Sequence, residues 1–185
     1  LNFAAVYRAP VILNVVNNQW AISTHMNISI GGATFAARGI AYGLPSIRVD
    51  GNDFLALYAV TQWAAERARQ GLGATFIEVL TYRGEAHSTS DDPTRYRPKN
   101  EWKSWPLGDP IERLKAHLKA ISEWDNKRHT ALEKELNELV IKSYKKAEEF
   151  GTLDKGPYPP ASTLFEDVYK NELPHLRKQR QQLGV

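Results

Sequence analysis

Three runs of the chain are apolar and rich in β-branched residues: Val11-Ile12-Leu13-Asn14-Val15-Val16, Ser46-Ile47-Arg48-Val49 and Thr75-Phe76-Ile77-Glu78-Val79-Leu80. Each has the length of a strand, and the first is apolar enough to expect burial on both faces of a parallel sheet. Between them the period changes. Residues from about 33 to 42 follow Gly31-Gly32 and stop at Gly43, which predicts a helix. A second, from about 53 to 70, places Leu57, Val60, Ala64 and Ala68 on one stripe and ends at Gly71. Asp53 is its expected cap. Strand, helix, strand, helix, strand within this span predicts an α/β fold with right-handed crossovers. Residues 1–8 read as the tail of a helix ended by Ala9-Pro10.

The alternation fails from Tyr82 to Leu107, a stretch that is polar, aromatic and rich in arginine. A loop of that length in a compact domain is usually functional or mobile. Asp109-Pro110-Ile111-Glu112 then opens a helix to about Ile121, with proline in the first turn and an acid three residues after the cap. A longer helix is expected from about Lys127 to Glu149, with Leu132, Leu136, Leu139 or Val140, and Ala147 facing the protein. The Gly-Pro-Tyr-Pro-Pro segment within 152–161 reads as an extended connector. Short helical pieces near 164–170 and 174–183 complete the chain. The expected organisation is an α/β domain over 1–108, including the loop 82–107, and a helical C-terminal extension over 109–185.

Composition narrows the function classes. At 185 residues and 42% hydrophobic, the chain has material for a real core. Its net charge of +3 gives no footing for nucleic-acid binding, which needs a concentrated basic face. Arg177, Lys178 and Arg180 suit the C-terminal end of a helix rather than a contact patch. Zero cysteines exclude disulfides, thiolate metal sites and a thiol nucleophile. No run reaches the length of a membrane span.

Two polar constellations follow strands. Asn17-Asn18 stands where the first strand stops, at the carboxyl edge where ligands of open α/β sheets collect. A carboxamide oxygen with a nearby backbone carbonyl suits a hard cation such as Mg²⁺; the plainer reading is a turn, which asparagine favours. Arg83-Gly84-Glu85-Ala86-His87-Ser88-Thr89-Ser90-Asp91-Asp92 follows the third strand on the same edge. An imidazole there can donate a hydrogen bond or move a proton near neutral pH. Ser88 beside Asp91 lacks the strand-turn-helix elbow of a hydrolase nucleophile, so a hydrolytic triad is rejected.

The stretch Asn17-Asn18-Gln19-Trp20-Ala21-Ile22-Ser23-Thr24 resembles the close of the thiamine-diphosphate signature in alpha subunits of 2-oxo acid dehydrogenases. His87-Ser88-Thr89-Ser90-Asp91-Asp92, with Tyr96-Arg97, looks like the active-site loop of the branched-chain members of that family. Pyruvate-specific relatives usually read His-Ser-Met-Ser-Asp-Pro there. The likeness extends through Ser46–Asp53 and Leu164-Phe165-Glu166-Asp167-Val168-Tyr169.

This resemblance implies a parallel-sheet thiamine-diphosphate-binding fold, with Mg²⁺ held by the Asn18 side chain and the Trp20 backbone oxygen. Ala21 and Ile22 would line the cofactor site. His87 would contact the diphosphate and assist acyl transfer to a lipoyl arm, with Arg83, Asp91, Tyr96 and Arg97 ordering its loop. Ser88 matches a serine phosphorylated in animal enzymes. The implied partners are a beta subunit, in an alpha–beta heterotetramer, a lipoyl-bearing acyltransferase and a 2-oxo acid. The compartment would be the cytoplasm of a bacterium or the mitochondrial matrix of a eukaryote.

Two residues depart from the family pattern. Pro98 replaces a second phosphorylated serine, and Val16 replaces an arginine before the asparagine pair. The signature's acidic opening is expected upstream of Leu1, so the chain reads as the carboxyl-terminal part of such a subunit. Rival readings are a pyruvate or acetoin dehydrogenase alpha chain and a non-catalytic interaction fragment.

Overall fold

A computed structural model describes residues 1–152, 154–166 and 169–185. The chain divides into two compact units, Leu1–Trp124 and Asp125–Val185.

The first unit opens with helix α1 (Asn2–Val6) and strand β1 (Ile12–Asn17). A two-residue-strand hairpin, β2 (Trp20–Ala21) and β3 (Thr24–His25), leads into a single turn, α2 (Met26–Ser29). Then come α3 (Ala36–Ala41), β4 (Ser46–Asp50), α4 (Phe54–Arg69) and β5 (Thr75–Leu80). The three longer strands form a parallel sheet in the order β1-β5-β4, pairing Asn17 and Asp50 each with Leu80 at the carboxyl edge. All three chain exits therefore leave the sheet on one side.

The core lies under β5. Ile77, with 0% exposure, packs with Val49 and Ala64, and Leu57 and Val60 of α4 close over them. Full burial of an aliphatic side chain of this kind stabilises by roughly 1.5–3 kcal/mol. Asp53 caps α4 by accepting the N–H groups of Leu55 and Ala56, both at 3.0 Å. The Ala56 N–H, then the Arg113 guanidinium and the Leu55 N–H, hold its carboxyl below the ordinary aspartate value against the opposing effect of desolvation. β1 departs from the expected burial on both faces. It is an outer strand: Ile12 packs against the Val49–Ala64–Ile77 cluster, while Val16, on the same face nearer the carboxyl edge, is 62% exposed. The doubly buried strand is the central one, β5.

Helix α5 (Pro110–Ala120), capped by Asp109, belongs to the first unit. The sequence pattern puts the boundary before residue 109, with this helix in the extension. Arg113 explains the difference: it pairs with Asp50 at 2.7 Å and Asp53 at 3.2 Å, tying α5 to the β4–α4 turn.

The second unit holds α6 (Asn126–Glu148), a 3₁₀ stretch (Ala161–Phe165) and α7 (Pro174–Leu183). No residue of α6 is buried, so the stripe expected to face the protein, Leu132, Leu136, Leu139 and Val140, stands in solvent. The piece expected near 164–170 is seen as Ala161–Phe165; its central residues, and part of the 164–169 likeness, lie outside the described residues. Arg177 and Arg180 are engaged locally, at the Glu172 carbonyl and carboxylate respectively.

Candidate functional site

The site is built where β1 and β5 end. Beyond the last ladder pair, the Thr81 N–H donates to the Asn17 carbonyl at 2.9 Å and the Arg83 N–H to the Asn18 carbonyl at 3.2 Å. The two loops thus continue side by side past the sheet. Asn18 Oδ1 accepts the N–H of Trp20 at 3.0 Å, closing a tight turn. Within the hairpin, the Met26 N–H reaches the Gln19 carbonyl at 2.9 Å, which makes 19–26 a hydrogen-bonded pair. Bonded and non-bonded pairs alternate in an antiparallel ladder, so 20–25 is a non-bonded pair. The Trp20 carbonyl is therefore directed away from the ladder, to the side of its own N–H, where Asn18 Oδ1 lies.

The Trp20 ring joins the hairpin to the second loop. Its Nε1 donates to the Tyr82 hydroxyl at 3.2 Å, and its face packs against Tyr96 with ring centroids 5.4 Å apart. Tyr82 in turn donates to Glu101, beside the 3₁₀ turn Glu101–Ser104. Ala21 and Ile22 are exposed on the hairpin. Ile22 has φ 54°, a conformation costly for a β-branched residue. Its carbonyl is held by Arg83 Nη2 at 2.7 Å.

The loop of residues 82–107 is ordered by side chains. Arg97, buried, donates to the carbonyls of Arg83, Gly84 (2.6 Å) and Glu85 (3.0 Å). Arg83 Nη2 also reaches the Tyr96 hydroxyl at 2.7 Å. One oxygen of Asp91 accepts both the Tyr96 hydroxyl, at 2.6 Å, and the His87 backbone N–H, at 2.8 Å. Those two bonds, the Tyr96 one foremost, hold the Asp91 carboxyl below the ordinary aspartate value. Burial, then Asp91, pushes the Tyr96 hydroxyl up, and burial, then Glu101, does the same for Tyr82. Both phenols stay protonated donors at neutral pH. The His87 imidazole is exposed at the tip, and Ser88 Oγ lies 3.2 Å from Ser90 Oγ. Asp91 is spent on Tyr96 and the His87 backbone, leaving no serine–histidine–aspartate relay.

Two features bear on a cofactor. Arg83 Nε and Nη1 are buried and have no partner among the described residues, donor capacity that an anionic oxygen would satisfy. Asn18 Oδ1 and the Trp20 carbonyl are neutral hard oxygens, the donor type Mg²⁺ accepts. No group of three or more His, Asp or Glu among the described residues is placed to hold a metal.

Sequence reasoning missed Glu78, and it singled out the Asn17-Asn18 pair without giving Asn17 a role of its own. Glu78 is fully buried in β5 and binds the Asn17 side chain at 2.8 Å. The available signal was a lone acid inside an apolar strand. Asn52, buried, was also passed over: it donates to the Gly108 carbonyl and accepts from Thr81 at 2.6 Å, anchoring both ends of the loop.

A parallel sheet with two interlocked loops at its carboxyl edge is the frame onto which the comparisons fall. Residues 1–155 match the family described as dehydrogenase E1 component, and the chain belongs to that family. The 2-oxoisovalerate dehydrogenase subunit alpha of Pseudomonas aeruginosa is 58% identical, over 100% of this chain and 45% of the relative. The pyruvate dehydrogenase E1 component subunit alpha of Acholeplasma laidlawii is 41% identical, over 97% of this chain and 51% of its own length. The mitochondrial 2-oxoisovalerate dehydrogenase subunit alpha of Homo sapiens is 40% identical, over 99% and 40% respectively. The chain thus spans about half the length of the curated relatives it matches.

Proposed function

We propose that the chain is part of the alpha subunit of a thiamine-diphosphate- and Mg²⁺-dependent 2-oxo acid dehydrogenase. It acts on branched-chain 2-oxo acids and passes the acyl group to the lipoyl group of an acyltransferase component. The observation that carries this reading is the interlock of the two sheet-edge loops through Arg83, Ile22, Trp20 and Tyr96. It brings oxygens suited to a cation, unpaired cationic donors and an exposed imidazole to one edge.

Thiamine diphosphate, when bound, supplies the carbanion chemistry of decarboxylation. The residues of this chain bind and orient. Asn18 Oδ1 and the Trp20 carbonyl hold Mg²⁺, and Ala21 and Ile22 line the cofactor site. His87 would hydrogen-bond the diphosphate, where its imidazole could give or take a proton. Arg83, Asp91, Tyr96 and Arg97 keep the His87 loop in shape. Ser88 matches the serine phosphorylated in animal enzymes, and a phosphate there would bring a charge of about −1.5 to −2 against the diphosphate. The partners are a beta subunit, in an alpha–beta heterotetramer, and the acyltransferase. The compartment is the cytoplasm for a bacterial source and the mitochondrial matrix for a eukaryotic one. No described helix is long and apolar enough to cross a membrane.

The A. laidlawii relative favours a second reading, with pyruvate as substrate. Steady-state turnover of 2-oxoisovalerate and pyruvate by the full-length alpha chain with its beta partner separates the two. The expected result is a higher kcat/KM for 2-oxoisovalerate; a clear preference for pyruvate reverses the substrate assignment. Calorimetry of the same assembly should find Mg²⁺-dependent binding of thiamine diphosphate. Absence of binding would make the chain an interaction fragment.

A further inference from the structure

The structure assigns Glu78 a positioning role: its buried carboxylate sets the orientation of the Asn17 carboxamide. Through Asn17 it sets the turn carrying Asn18 Oδ1 and the Trp20 carbonyl. The inference rests on the reading of those two oxygens as magnesium ligands.

Glu78 is 0% exposed at the centre of β5, between strands that contribute mostly apolar side chains. A carboxylate there is costly unless donors surround it. Oε1 accepts from Asn17 Nδ2 at 2.8 Å and faces Arg48 Nε at 3.5 Å, while Oε2 accepts the Ala36 N–H at 2.9 Å. The two ends of an asparagine carboxamide have nearly the same shape, and only their partners decide which way it lies. Both oxygens of Glu78 are met by donors, so the side chain accepts at Oε1 and selects Nδ2.

Asn17 Oδ1 is thereby turned to Gln19, accepting its backbone N–H at 3.2 Å and its Nε2 at 3.1 Å. Gln19 sits at φ 71°, where a residue with a side chain must be held by its surroundings. It lies between Asn18 and Trp20, so its conformation fixes where their oxygens point. Reversing the Asn17 carboxamide would set Nδ2 against both Gln19 donors and release that turn. A neutral side chain at 78 loses this selectivity, because a glutamine both donates and accepts.

A mere tie between β5, β1 and α3 would affect folding without affecting the metal. The test uses the full-length alpha–beta assembly with Glu78→Gln, Asn17→Ala and the double variant. Mg²⁺ is titrated calorimetrically in the presence of thiamine diphosphate, and the ligand-free assembly is melted in parallel. Both single variants are expected to weaken Mg²⁺ binding about 10-fold or more, the usual effect of removing an outer-shell partner. The double variant is expected to be no weaker than Asn17→Ala, since one residue acts through the other.

A Glu78→Gln protein that melts earlier but binds Mg²⁺ as tightly as wild type overturns the inference, and additive losses overturn the route through Asn17. Unchanged Mg²⁺ affinity in Asn17→Ala overturns it also, and that arm stands even if Glu78→Gln fails to assemble. Wild type that binds thiamine diphosphate with no need of Mg²⁺ removes the function proposed above together with this inference. Normal wild type and unaltered variants remove this inference alone.

Discussion

At the scale of single residues, the His87 loop depends on one oxygen of Asp91, which serves both the His87 N–H and the Tyr96 hydroxyl. The folded carboxyl is held below its ordinary value, first by Tyr96 and then by the His87 N–H. A group depressed in this way contributes in full above its unfolded value, and the contribution fades as pH falls through the folded value. The loop should therefore stay pinned from about pH 5 to 8 and loosen only below about pH 4. Hydrogen exchange of the His87–Asp91 amides, corrected for intrinsic rates, should show that profile. A midpoint well above the carboxylate range would show that Asp91 is not the controlling group. Much of this site was legible because its chemistry is written locally: Asp91, Tyr96 and Arg97 lie within a dozen residues of one another and of Arg83 or His87. Glu78 was not legible, because its partner Asn17 is 61 positions away and only the β1–β5 pairing brings them together.

Among the elements, the β4–α4 turn packs against the end of β5, and Gly51 is the point of closest approach. Its N–H donates to the Leu80 carbonyl at 2.7 Å. A Cβ at 51 would lie 2.8 Å from that oxygen and 2.6 Å from Val79 Cγ1. Gly51→Ala is expected to destabilise by about 1–3 kcal/mol, the usual cost of overpacking. Gly31→Ala, with nothing within 4 Å of its Cβ, should stay within about 0.5 kcal/mol of wild type. Denaturant titration of both checks this, and equal stability would show that the turn moves aside. The strands and α4 were readable because burial imprints a period of 2 or 3.6 on apolar positions. The hairpin β2–β3 was not, since two-residue strands carry no period and Ile22 occupies a conformation its side chain disfavours. The place of α5 escaped for another reason. Its ion pairs through Arg113 join residues 63 and 60 positions apart, which no local period encodes.

For the molecule as a whole, the decisive feature is apolar surface with nothing over it. Parallel sheets are normally covered on both faces, yet Val16 on the outer strand β1 is largely in solvent. Phe3 of α1 stacks on Tyr7 just past its end, Phe54 and Tyr58 stack on α4, and all four are exposed. In the second unit α6 leaves Leu136, Leu139, Val140 and Tyr144 open. Scattered exposed apolar residues are ordinary, but runs of them on successive helical turns mark surfaces that another chain segment covers. The curated relatives are about twice as long as this chain, and on the function proposed above a longer alpha chain and its beta subunit would supply such segments. Produced alone, the 185-residue chain should therefore bind a hydrophobic dye and self-associate. The full-length alpha chain with its beta subunit should do neither. Sedimentation and dye fluorescence on the two samples decide it. A monomeric 185-residue chain without dye binding would show these side chains to be adequately solvated and would deprive the alpha–beta assembly of its surface argument.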